Sequence, residues 1–184
     1  IRDLVRRHAR IDLWGVGTHL VTGGSESSFT GVYKLSAREE QGEFRPTMKF
    51  SDNPEKSTNP GIKQIYRFHD ETGSPLADLV AFVDETVDAS QSHTFYHPFI
   101  DYRHFRLKAP GEIVPLLKPY MKQGEIIRGL PSLQEIQTLT RSNLDALDGT
   151  FKRIINPHIY KVSISNSVKQ TKEKVLKQYL GNND

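Results

Sequence analysis

Residues 61–83 read GIKQIYRFHDETGSPLADLVAFV. Two runs rich in β-branched and aromatic residues, GIKQIYRF and LADLVAFV, have strand composition, and the Glu71-Thr72-Gly73-Ser74 core between them suits a hairpin connection. Reading this stretch as a hairpin makes the middle of the chain predominantly antiparallel β. Downstream, residues 84–98 are polar and read as irregular, Tyr102–Lys108 alternates, and Ile113–Ile127 carries two apolar segments around a Lys122-Gln123-Gly124 turn. Upstream, two Asn-Pro turns bracket the charged loop SDNPEKSTNPG. Thr47–Ser51 reads as a short strand, AREEQGEFRP (37–46) as a polar loop, and Phe29–Ser36 as another strand.

The last third changes period. Ser132 and Glu135 have capping-box spacing, and Ile136, Leu139, Leu144, Leu147, Phe151 and Ile154 follow one face of a helix or a broken pair of helices. Asn156-Pro157 stops that pattern, and Tyr160–Ser165 alternates as an edge strand. Ser167 opens a closing helix with Val168, Val175, Leu176 and Tyr179 inward and Gly181 placed to end it.

At the other end, Ile1, Leu4, Val5 and Ala9 have helical spacing, yet no cap or initiator Met precedes them. The expectation is the second half of a helix, in a chain that forms the C-terminal piece of something longer. Ile11–Trp14 reads as a short buried strand that breaks into Gly15-Val16-Gly17-Thr18. In an α/β layout such a loop lies at the carboxyl end of its strand, where these folds bind ligands. Glycines let successive amides converge on an anion with no Cβ in the way, and a threonine hydroxyl adds a donor. Two glycines after a strand also make a plain tight turn. The spacing matches neither GxxxxGK[ST] nor GxGxxG, so no P-loop or dinucleotide fold is indicated.

Lys34, Lys49, Lys56 and Lys63 lie on or beside the loops that follow. Lysines serve diphosphates as point charges, and equally they sit on solvated loops. His93 and His97 have i, i+4 spacing, but Pro98 and the Thr-Phe-Tyr between them argue against a metal-binding helix and for surface or packing roles. His19 follows the glycine loop, though a lone His is more often not functional. No Ser-His-Asp set or carboxylate pair assembles by spacing.

With 184 residues, 36% of them hydrophobic, the chain can bury a core. No apolar run reaches the ~20 residues of a membrane helix. It has no cysteine, which rules out disulfides and thiolate metal sites and makes a reducing cytoplasm the default compartment. A net charge of +3, from 25 basic and 22 acidic residues, does not demand nucleic acid and suits an anionic small molecule.

Taken together, ARIDLWGVGTHLVTG, TGVYKL, MKFSDNPEKSTNPGIKQIYRF, LLKPYMKQGEII, LPSLQEI and FKRIINPHIYKVSIS resemble the C-terminal part of the nicotinate phosphoribosyltransferase family. The resemblance implies a piece of an NAD-salvage enzyme that joins nicotinate to phosphoribosyl pyrophosphate. Nicotinate mononucleotide and pyrophosphate are its products, with ATP hydrolysis coupled through a phosphohistidine and with Mg2+. It implies an α/β fold with α+β character: a late helix-strand unit of an incomplete α/β barrel, then antiparallel β segments and C-terminal helices. The segments expected are 1–36 for the barrel end with its phosphate loop, 37–129 for a β-rich region with basic loops, and 130–184 for a helical region with one edge strand. A homodimer and a missing N-terminal portion are the partners implied.

By the same resemblance Gly15, Val16, Gly17 and Thr18 bind phosphate or phosphoribosyl pyrophosphate, with Lys49 and Lys56 as further phosphate contacts. None of the seven histidines stands in the family's phosphohistidine motif, and no residue here is expected to be catalytic or to bind metal, so the chain alone is expected to be inactive. The alternative is a non-catalytic phosphate- or nucleotide-binding module derived from that family.

Overall fold

In a computed structural model the described residues are 1–24, 31–108 and 110–181. The chain divides into two compact units, 1–33 and 34–184. Among the described residues no helix is long and apolar enough to cross a membrane.

The first unit holds two five-residue helices, α1 (Arg2–Arg6) and α2 (Thr18–Thr22). α1 has Asp3 in its first turn and Arg6 in its last, signs that suit the helix dipole. Ile11–Trp14 forms no strand, contrary to the sequence reading, and Leu13 is 87% exposed. A strand needs a ladder partner for its amides, and among the described residues this unit supplies none. Residues 31–36 likewise form no strand, while Phe29 and Thr30 lie outside the described residues.

In the second unit AREEQGEFRP is a hairpin, not the expected loop: β1 (Ala37–Glu40) pairs antiparallel with β2 (Glu43–Pro46). Gln41 and Gly42 both take positive φ, 54° and 83°, the two-residue turn whose twist matches paired strands. Charges hid this hairpin from a hydrophobic pattern, because Glu40 accepts from both Arg38 (2.6 Å) and Arg45 (2.7 Å) across its exposed face. Thr47–Ser51, read as a strand, runs without a ladder. It is tied instead by the Lys49 amide to Thr58 Oγ1 (2.8 Å), and Met48 is buried.

The core is a six-stranded mixed sheet. β3 (Lys63–His69) and β4 (Pro75–Phe82) form the hairpin read from residues 61–83, and β5 (His93–Tyr96), β6 (His104–Leu107), β7 (Glu112–Pro115) and β10 (Val162–Ile164) complete the order β6-β5-β10-β4-β3-β7. A separate hairpin joins β8 (Met121–Lys122) to β9 (Glu125–Ile126) around Gln123 and Gly124, both at positive φ.

β5 lies in the stretch read as irregular, and β10 is no edge strand but sits inside the sheet, parallel to β4 and antiparallel to β5. A three-residue strand flanked on both sides loses its amphipathic signature, and Ser163 and Ile164 are both buried.

Register defines an inner face. Phe68 pairs with Ala77, Tyr66 with Leu79 and Phe95 with Phe105, and these residues share one apolar cluster with Ala81, Leu107 and Ile113. Phe68 on β3 and Phe95 on β5 are three strand spacings apart, about 14 Å in a flat sheet. Their rings nevertheless meet edge to face at 4.9 Å. The sheet therefore curls with this face inside. On the opposite face Arg67 grips Asp78 with two hydrogen bonds of 2.9 Å, and the Tyr160 hydroxyl donates to the same carboxylate at 2.9 Å.

α3 (Leu133–Ala146) begins with the expected capping box, the Glu135 amide donating to Ser132 Oγ and the Ser132 amide to Glu135. It ends eight residues short of Ile154, where Asp148 accepts from the Thr150 amide and opens a run of turns. α4 (Asn166–Gly181) packs on β4 and β5 and buries Val168, whereas Leu176 and Tyr179, expected inward, stay half exposed.

Candidate functional site

The glycine loop sits wholly in the first unit. Gly17 precedes α2, and the Leu20 amide returns to the Gly17 carbonyl at 3.0 Å. The amides of Thr18 and His19 have no backbone partner among the described residues, as the start of a helix requires. Among the described residues, a Cβ placed on Gly15 or on Gly17 would meet nothing within 4 Å. Packing among the described residues therefore does not demand glycine at either place. The Thr18 carbonyl accepts from the Thr22 hydroxyl at 2.8 Å.

In the second unit Lys49 and Lys56 are both exposed and share one loop. The Lys49 amide and the Thr58 amide bind across its neck, and Lys56 sits on a short 3-10 helix, Pro54–Lys56, capped by Asn53. Lys34 is exposed as well. Lys63 differs: its ammonium donates to the Gly61 carbonyl, and burial pulls its pKa below the usual lysine value. Gly61 itself is fixed by φ of 83° and by the Phe82 ring, into which a Cβ would run.

His93 and His97 serve local structure. His93 lies 2.7 Å from the Asp88 carbonyl through Nε2 and meets Phe68 edge on, while His97 Nδ1 accepts from the amides of Phe99 (3.2 Å) and Ile100 (3.1 Å).

Two concavities went unread in the sequence. A groove of about 670 Å³ runs between the 48–57 loop, the 97–101 turn and α4. On its wall Phe50 stacks on Tyr179 at 4.0 Å, and the Lys172 ammonium donates to the Pro98 carbonyl at 2.9 Å, with burial lowering its pKa. A second pocket, of about 590 Å³, lies where the β5–β6 hairpin meets the segment entering β10. The groove gathers residues up to 132 positions apart and the second pocket residues up to 68 apart, distances over which spacing carries no signal.

A curled mixed sheet with α4 on its outer face defines a mixed α/β domain, and the exposed glycine loop belongs to the separate first unit. The chain belongs to the nicotinate phosphoribosyltransferase family, through its C-terminal domain, whose family profile matches residues 62–172. Nicotinate phosphoribosyltransferase from Bacillus subtilis is 34% identical over 171 residues, covering 90% of this chain and 34% of that protein. The human protein of the same name is 33% identical, covering 88% of this chain and 29% of its own length. The crystal structure of human nicotinic acid phosphoribosyltransferase aligns with a TM-score of 0.58 and 27% identity over 65% of this chain and 24% of that one. The chain thus spans about a third of the length of the curated relatives it matches.

Proposed function

We propose that this chain is the C-terminal part of an enzyme of NAD salvage, one that joins nicotinate to phosphoribosyl pyrophosphate and releases nicotinate mononucleotide and pyrophosphate with ATP hydrolysis. The observation that carries the proposal is the match of the family profile to the sheet domain, with curated relatives of that name aligned over nine-tenths of the chain. The late barrel unit, the homodimer, the cytoplasmic location and the catalytic segments outside this chain belong to the same reading.

The role assigned to this chain is positional. As pyrophosphate leaves, positive charge develops at the ribose C1, and an enzyme gains rate by holding the phosphate ends of its substrate so that binding energy acts at the reacting carbon. The uncommitted amides of Thr18 and His19, the Thr18 hydroxyl and the open space over Gly15 and Gly17 support the loop as the grip on the 5-phosphate. Lys49 and Lys56 are the further phosphate contacts in this reading.

Among the described residues no three His, Asp or Glu side chains converge to hold a cation. No step through Mg2+ is assigned to these residues.

The test is Thr18→Ala in the complete enzyme. The expected result is a rise of about tenfold in KM for phosphoribosyl pyrophosphate, the equivalent of roughly 1.4 kcal/mol, with unchanged thermal stability. Unaltered kinetics toward that substrate would overturn the assignment.

A further inference from the structure

We propose that the pocket at the end of the β5–β6 hairpin is a second anion site, distinct from the glycine loop, that takes a small multiply charged oxyanion such as a diphosphate. Its charged side chains, Arg103 and Lys161, carry one sign. His104 and His97 line it with them, and among the described lining residues there is no Asp or Glu. A cleft walled by one sign of charge focuses the field and concentrates counter-ions. Its volume, about 590 Å³, lies in the range of small-molecule sites.

The cations are uncommitted. Neither Arg103 nor Lys161 has a side-chain hydrogen bond or ion pair among the described residues. Lys161 lies 4.6 Å over the Phe105 ring, a contact that fixes the ammonium without occupying its protons with oxygen. His97 accepts two amides at Nδ1, so the proton of the neutral ring is on Nε2 and available as a donor.

The acid behind the wall is neutralised already. Tyr160 lines the pocket, but its hydroxyl turns to Asp78, whose two oxygens are also held by Arg67.

The probe is inorganic pyrophosphate, titrated into the 184-residue chain and followed by amide NMR, with sodium chloride at equal ionic strength as the screening control. Shifts are expected at residues 97–105 and 160–163 with pyrophosphate and not with chloride. Arg103→Ala and Lys161→Ala should each weaken the fitted Kd roughly tenfold. Lys177→Ala, an exposed change on α4, should leave it unaltered. Equal weakening by Lys177→Ala, or equal shifts with chloride, would overturn the proposal as non-specific charge attraction. Shifts confined to residues 15–19 would overturn it while supporting the glycine loop, and loss of binding at that loop alone in Thr18→Ala would leave this site standing.

Discussion

Arg67, Asp78 and Tyr160 form the most consequential small group in the sheet domain. Asp78 is 6% exposed, so its charge is tolerable only because Arg67 binds it through Nε and Nη2 and the Tyr160 hydroxyl adds a third hydrogen bond. Arg67→Met should cost about 2–4 kcal/mol in urea unfolding, because it strands a buried carboxylate. Tyr160→Phe keeps the ion pair and should cost about 1 kcal/mol. The tyrosine also sets an alkaline limit. Burial, then the Asp78 charge, raises its pKa above the usual value, so the folded state favours the protonated phenol. That contribution is whole below the unfolded pKa of about 10 and is lost as pH rises above it. Lys63 and Lys172, lowered by burial, act with the opposite sign, stability rising as pH climbs toward the usual lysine value from below. The difference between the wild type and Tyr160→Phe isolates the tyrosine: from pH ~9 to ~11 the wild type should lose more stability, and parallel curves would refute this. None of the network was legible in the sequence, since its members are 11 and 82 residues apart. Separation along the chain concealed the two concavities as well.

Hairpins were legible where the turn residues announced them and illegible where charge masked them. Gly73 takes φ of 84° and Asp70 accepts from the amides of Thr72 and Ser74, the turn chemistry that made residues 61–83 readable. β1 and β2 share the turn signal at Gln41-Gly42 but lack apolar alternation. β10 failed for a different reason. Its neighbours β4 and β5 come from elsewhere in the chain, and only tertiary structure tells an inner strand of three residues from an edge. What secures β10 is the joint to α4. Ser165 Oγ donates to Glu85 (2.7 Å) and accepts from the Val168 amide (3.2 Å), while Glu85 also accepts from the Phe82 amide (2.7 Å). One hydroxyl thus caps α4 and ties it to the end of β4. Ser165→Ala should destabilise the domain by about 1–2 kcal/mol, more than Ser132→Ala at the exposed start of α3, for which about 1 kcal/mol is expected. Urea titrations of the two variants make the comparison, and equal costs would show that the Glu85 tie adds nothing.

Across the whole chain, order is unevenly supported. The curled sheet buries its apolar face, whereas α3 buries no residue, and Leu133, Ile136, Leu139 and Leu144 remain 46–70% exposed along it. A 14-residue helix without packing is marginal in water, and a capping box adds only about 1 kcal/mol. The sequence pattern was amphipathic enough to forecast the helix, but periodicity does not say what an apolar face meets. Amides that open only with the whole domain should therefore be those of β3, β4 and β10, where Phe68, Leu79 and Ile164 lie at 2% exposure or less. In hydrogen exchange of the 184-residue chain, residues 133–146 should exchange within about a hundredfold of the unprotected rate, and residues 63–82 at least a thousandfold more slowly than that helix. The test has a clear opposite result: α3 protected as strongly as β4 would mean that its exposed leucines are covered in solution, and that the helix belongs to the same cooperative unit as the sheet.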